Sequence, residues 1–264
     1  MKRVLVVIII AGLSLFQSCE KLGVNSTDEK INLDLIKSVL TGAYTEHYGQ
    51  FHLTKTRSKI DYSHLNLPEL DGKFYDTGWQ SIARVQFGSD SKGKADYVKV
   101  NSSTLDEVIL SLDYYNYHSN NINLKFDGTN NLIEWKLAGN SYSTNISTNA
   151  SDIEFTSPTF MQSINKNQDL TITWSTSSET NDYVYISLQG VLNTDSTATK
   201  VGYFQSDIVN DTGSYTIPSS ELINFSEAKA TLSITRGTYS EETHGNKTYL
   251  FVLSSDNAIQ IGLN

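Results

Sequence analysis

The chain has 264 residues, with 20 Lys+Arg against 29 Asp+Glu and a formal net charge of -9. That balance opposes binding to nucleic acid, since no basic patch is evident to neutralise phosphates, and one cysteine excludes an internal disulfide. Only 3 Pro and 16 Gly argue against a disordered chain, while 15 Tyr, 10 Phe and 3 Trp supply apolar mass for two cores.

Lys2 and Arg3 precede an apolar run over 4–16. The run has the length of a signal-peptide h-region and falls short of the roughly 20 residues that span a bilayer. It ends at Gln17, Ser18 and Cys19. A small residue directly before a cysteine, behind such a run, resembles the lipobox of bacterial lipoproteins. Phe16 and Gln17 depart from its strict form, and Ser18-Cys19-Glu20-Lys21 is similar to the looser form in lipoproteins of the Bacteroidota. The resemblance implies removal of 1–18, acylation of Cys19 and anchoring in the bacterial cell envelope, at the outer membrane. A secreted protein without lipid is the main rival. Cleavage would leave 18 Lys+Arg against 29 Asp+Glu, a net charge of -11. No second long apolar run predicts a transmembrane helix.

Residues 19–42 read as a lipidated tether. Leu33, Leu35, Ile36, Val39 and Leu40 fall at helical spacing and predict a short helix over 32–42, with a strand start at Ala43 competing. Residues 43–155 form the first predicted domain, a β-sandwich. Alternation places strands at 79–87, 96–100, 108–114, 121–126 and 132–137, with a turn at 127–131 joining the last two in a hairpin. The polar stretch 140–154 marks the boundary, or else a long loop or edge strand within one domain.

Residues 156–264 form the second predicted domain. Strands are expected at 170–174, 183–189, 201–204, 213–218, 230–236, 248–253 and 258–262, the density of an immunoglobulin-like sandwich. Asp169-Leu-Thr-Ile-Thr-Trp-Ser175 is similar to the second strand of fibronectin type III domains, with Trp174 as its core aromatic. Ser214-Tyr-Thr-Ile-Pro218, leading to Leu222, resembles a later strand and its turn. Asp211-Thr-Gly213-Ser-Tyr215 has the spacing of an immunoglobulin tyrosine corner, with Ile217 where an immunoglobulin cysteine would stand. The resemblance covers about 156–264 and implies a fold, not an activity.

Chemistry-bearing motifs are sparse. His47, His52, His64, His118 and His244 show no metal-ligand spacing, and each is read as a surface residue. No nucleophile elbow, phosphate loop or dinucleotide fingerprint occurs. Asp106-Glu107 and Glu241-Glu242 point to opposite faces if in strands, so they make poor acid/base pairs. Asp127-Gly128 and Asp211-Thr212 read as turns rather than calcium loops. Asp195-Ser196-Thr197 matches a short O-glycosylation pattern known in the Bacteroidota.

The most suggestive feature is Tyr114-Tyr115-Asn116-Tyr117-His118. Alternation puts Tyr115 and Tyr117 opposite Leu110, Leu112 and Tyr114. An exposed face would offer Tyr115 and Tyr117 to sugar rings, with Asn116 and His118 bonding hydroxyls. The competing reading has both tyrosines covering a sheet or a domain junction. The expectation is an all-β, lipid-anchored protein of two sandwiches, with no catalytic residue, metal or cofactor, binding a glycan or another envelope ligand. In layout it resembles the non-catalytic glycan-binding lipoproteins of Bacteroidota nutrient uptake. The alternatives are a structural or adhesive protein with a protein partner, and a hydrolase with a site between domains.

Overall fold

The computed structural model describes residues 47–61, 74–87, 94–108, 115–120, 122–148, 152–176, 183–193, 201–207 and 209–264. The expected lipobox and tether, the expected helix over 32–42, His64 and the 195–197 motif lie outside the described residues. The fold is all-β and follows the period-2 alternation of the sequence. The first stretch carries β1 (Gly49–Asp61), β2 (Phe74–Asp76), β3 (Gln80–Phe87), β4 (Ala95–Val100), β5 (Ser103–Thr104), β6 (Asp106–Val108), β7 (Tyr115–Asn120), β8 (Asn130–Leu137) and β9 (Asn140–Ser147). The second carries β10 (Phe155–Ser157), β11 (Ser163–Ile164), β12 (Leu170–Trp174), β13 (Tyr183–Val191), β14 (Val201–Gln205), β15 (Val209–Asn210) and β16 (Ser214–Ile217). One helical turn, α1 (Ser219–Leu222), precedes β17 (Lys229–His244) and β18 (Lys247–Leu263).

One large sheet runs β14-β13-β17-β18-β1-β3-β7-β6. Two smaller sheets, β5-β4-β8-β9 and β10-β12-β16, complete the molecule. Tyr249, Phe251 and Leu253 of β18 belong to one hydrophobic cluster, and Ile259, Ile261 and Leu263 to another. All six have odd numbers on one continuous strand, so both clusters lie on the same face of the large sheet. The β17–β18 hairpin therefore carries two sandwiches side by side, and cluster membership does not follow chain order. In the first core Phe51 stacks on Phe251 at 4.7 Å and meets Trp135 at 4.9 Å; burying one such side chain contributes about 2–3 kcal/mol. In the second, β12 pairs β16 while β13 pairs β17 and β11 pairs β18 in parallel. That strand grouping makes this sandwich immunoglobulin-like.

Several expectations are corrected by long-range partners. The separate strands at 248–253 and 258–262 are one 17-residue strand. Residues 254–257, a polar turn by composition, stay extended because they find bonds in place. Ser254 Oγ meets Thr54 Oγ1 at 3.1 Å, Ser255 Oγ accepts the Ile153 N–H at 3.1 Å, and Asn257 Nδ2 donates to the Ile153 carbonyl at 3.0 Å. Residues 122–126 form no ladder. Asn131 imitates one there, accepting the Lys125 N–H at 2.9 Å and donating to the Lys125 carbonyl at 2.8 Å. The hairpin is instead β8–β9, turned by Ala138 and Gly139 at positive φ. Residues 140–147 are the edge strand β9. Asp211 serves no tyrosine corner, since Tyr215 sits on β16 beside β12. Its carboxylate accepts the Trp174 Nε1–H at 2.6 Å and pairs with fully buried Arg236 at 2.8 Å.

Candidate functional site

The structure separates the residues of the expected aromatic platform. Tyr117 is 4% exposed within the first core. Its hydroxyl donates to the Ala95 carbonyl at 3.0 Å and its ring meets Phe87 edge-on at 5.9 Å. A ring enclosed in this way is not available to stack on a sugar. Alternation holds, since Val108 stands opposite Asn116 and Tyr117 takes the other face; that face is the one packed in the first core. The side chain of Tyr115 and the whole of Cys19 lie outside the described residues. Asn116 and His118 are half-buried on the other face of the large sheet. There His118 stands in register with Arg84, which in turn faces His52.

The histidines are not uniformly surface residues. Loss of water, and then the nearby Arg84 charge, push His52 down to about 4. Burial and Arg84 lower His118 as well. Burial raises Asp256, on the same face, to about 6. His47 pairs with Glu241, and His244 packs edge-on against Trp135, Tyr142 and Tyr249.

A site forms instead where the two sandwiches meet. Beyond Leu53, β1 places Lys55, Arg57 and Lys59 on the face that carries both cores, beside Ser255, Asn257 and Ile259 of β18. The crossover 152–154 and strand β2 supply the acids. Lys55 Nζ donates to Asp152 at 2.5 Å. Arg57 grips both oxygens of Asp76, at 2.9 and 2.7 Å, and reaches Glu154 at 2.6 Å. This fork, helped by the Gly78 N–H, holds Asp76 down at about 2. Lys229 closes the far end on Asp61 at 2.5 Å.

Aromatic residues border this ionic row. Phe74 on β2 is 69% exposed and Met161 is exposed beside half-buried Phe160, while Tyr75, opposite Ile60, takes the other face of the sheet. The Phe74 and Phe160 rings lie 5.5 Å apart. Between them and the row opens a pocket of about 110 Å³, lined by Lys59, Glu154, Phe155, Phe160, Asn257 and Ile259 among others. The arrangement offers an apolar wall, a cation and hydrogen-bonding groups on rigid strands, which suits binding. Sequence reasoning missed it, although Thr54-Lys-Thr-Arg-Ser-Lys59 alternates cations with hydroxyls at period 2 and Phe74-Tyr75 interrupts a polar stretch.

No family model matches the chain. No curated protein matches it either. Among solved structures it is similar to one described as tandem Ig repeats of Dlar, at 9% identity, with 83% of this chain and 100% of that chain covered and a TM-score of 0.29.

Proposed function

We propose that the protein is a lipid-anchored component of the bacterial cell envelope that binds a glycan or another envelope ligand at the junction of its sandwiches, without catalysis. The observation that carries this is the exposed pair Phe74 and Met161, set beside Phe160, which lines the pocket. Exposed apolar residues that cluster and are rimmed by charge mark places a partner covers. The anchor and the outer-membrane location rest on Ser18-Cys19 behind the apolar run.

Two measurements test the proposal. The full chain expressed in a bacterial host incorporates labelled palmitate and fractionates with membranes, and Cys19→Ser abolishes both; a soluble, unlabelled wild type would remove the anchor. On a glycan array the detergent-solubilised full chain binds at least one glycan class, and Phe74→Ser/Met161→Ser loses it. A second reading, adhesion to a protein, is favoured by one observation: β9 is an outer strand of its sheet, the kind of strand that pairs with an added one. Absence of glycan binding together with capture of a defined extended peptide at β9 would shift the assignment to adhesion.

A further inference from the structure

Two apolar residues of β18 are enclosed on the face of the large sheet that carries neither sandwich core. Leu250 is 0% exposed and Val252 2%. Their even numbers put them on the face opposite Tyr249, Phe251 and Leu253. Gln50, in register with Leu250 on β1, shares that outer face and is 2% exposed. Both smaller sheets give their apolar residues to the two cores, so neither lies over this face. Among the described residues, the apolar side chains packed with Leu250 and Val252 are each other and Tyr239. Neighbours standing side by side on one sheet face do not exclude water from above it. The enclosure is complete within a single chain, so its cover belongs to this chain.

The route of the chain into β1 indicates which segment that is. His47 pairs with Glu241. Glu241 stands opposite Leu250 on β17, hence on the same face. β1 and β17 flank β18 on its two sides, so the chain entering β1 arrives over the outer face, beside Leu250. Upstream of His47, and outside the described residues, Leu33, Leu35, Ile36, Val39 and Leu40 fall at helical spacing, with Asp34, Lys37, Ser38 and Thr41 on the opposite side of such a helix. The connector 43–46 spans up to about 14 Å when extended, enough to turn back over the patch. We propose that residues 32–42 form an amphipathic helix that docks on the Leu250–Val252 patch through Leu35, Ile36, Val39 and Leu40, making a third, smaller core on the outer face. An apolar stripe needs a surface to cover it, and an enclosed apolar patch needs a cover. The docking is independent of the ligand reading at the junction. With the lipid at Cys19, as proposed above, it leaves only 20–31 as free tether, which reaches at most about 40 Å from the bilayer.

The test uses the full chain carrying Cys19→Ser, so that introduced cysteines are the only ones. Ile36→Cys/Tyr239→Cys is linked within one chain by a short bis-maleimide. Ile36→Cys/Tyr203→Cys, with Tyr203 on distant β14, is not linked. In the Cys19→Ser chain with no further substitution, amides over 33–41 exchange with deuterium at least tenfold more slowly than in a peptide of the same sequence. Ile36→Asp/Leu40→Asp abolishes that protection and lowers the urea midpoint by about 1 M. Lys37→Gln/Thr41→Gln, on the polar side, leaves both unchanged. Unprotected amides over 33–41 overturn the helix. Protected amides without the 36–239 link overturn this seat, and so does a link formed only between two chains, which would give the patch to a second copy. A urea midpoint unmoved by Ile36→Asp/Leu40→Asp overturns the docking as well. Glycan binding is read separately, so none of these results decides the junction site.

Discussion

Replacing Asp211 with alanine tests whether the two sandwiches are one cooperative body. Asp211 pairs with Arg236, both almost fully enclosed, and accepts the Trp174 indole N–H. Arg236 also donates to the Ser175 carbonyl, so it cannot leave the core without breaking that contact. Removing the carboxylate strands a buried charge, which costs about 3–5 kcal/mol, and adds the loss of the Trp174 acceptor. The sum, on the order of 5 kcal/mol, is a large share of the 5–15 kcal/mol typical of a domain. Arg236 lies on β17, which with β18 also forms part of the first sandwich. The destabilisation should therefore reach Trp135 as well as Trp174. Incorporation of 5-fluorotryptophan gives separate ¹⁹F signals for Trp79, Trp135 and Trp174 during urea unfolding. All three should shift together, to a midpoint lower in urea and with an unchanged slope. An early transition at Trp174 with Trp135 unmoved would refute the shared-hairpin account of stability.

Two further outcomes follow from the packing of the two faces of the large sheet. His52, held at about 4 against 6.5 in the open chain, contributes stability present above pH 6.5 and lost as pH falls through about 4. Asp256, raised from 3.8 to about 6, acts in the opposite sense: its protonated form favours the fold below 3.8, and that contribution is lost as pH rises through about 6. Each is worth about 3 kcal/mol, so wild-type stability should stay nearly flat from pH 4 to 6. His52→Gln should lose stability as pH rises across that window and Asp256→Asn should gain it; urea midpoints at pH 4, 5 and 6 parallel to wild type in both variants would contradict the assignment. Tyr117→Phe leaves the Ala95 carbonyl without its hydroxyl donor and should cost about 1–2 kcal/mol in urea unfolding, with no change in ligand binding; a loss of glycan binding at unchanged stability would restore Tyr117 to a surface role.

Alternation was enough to expect strands at 79–87, 96–100, 132–137, 170–174 and 183–189, within a residue or two of those observed, because each keeps apolar residues on one face, and the density of strands in the second half pointed to its immunoglobulin-like sandwich. Period 2 assigns two faces to a strand, though, not which of them turns inward. Tyr117 was decided by its pairing with Val85 on β3, whose face closes on the first core. The continuity of β18 was likewise invisible locally: the pattern gives two strands, at 248–253 and 258–262, and the Ile153 backbone, more than 100 residues away in sequence, bonds Ser255 and Asn257 and keeps the stretch between them extended. Asp211 looked like part of a local corner, and its partners Trp174 and Arg236 come from two different sheets. The junction pocket is the extreme case. Lys59, Phe74, Phe160 and Asn257 belong to four separate segments, and only the parallel pairing of β1 with β18, under crossover 152–154, brings their chemistry to one place.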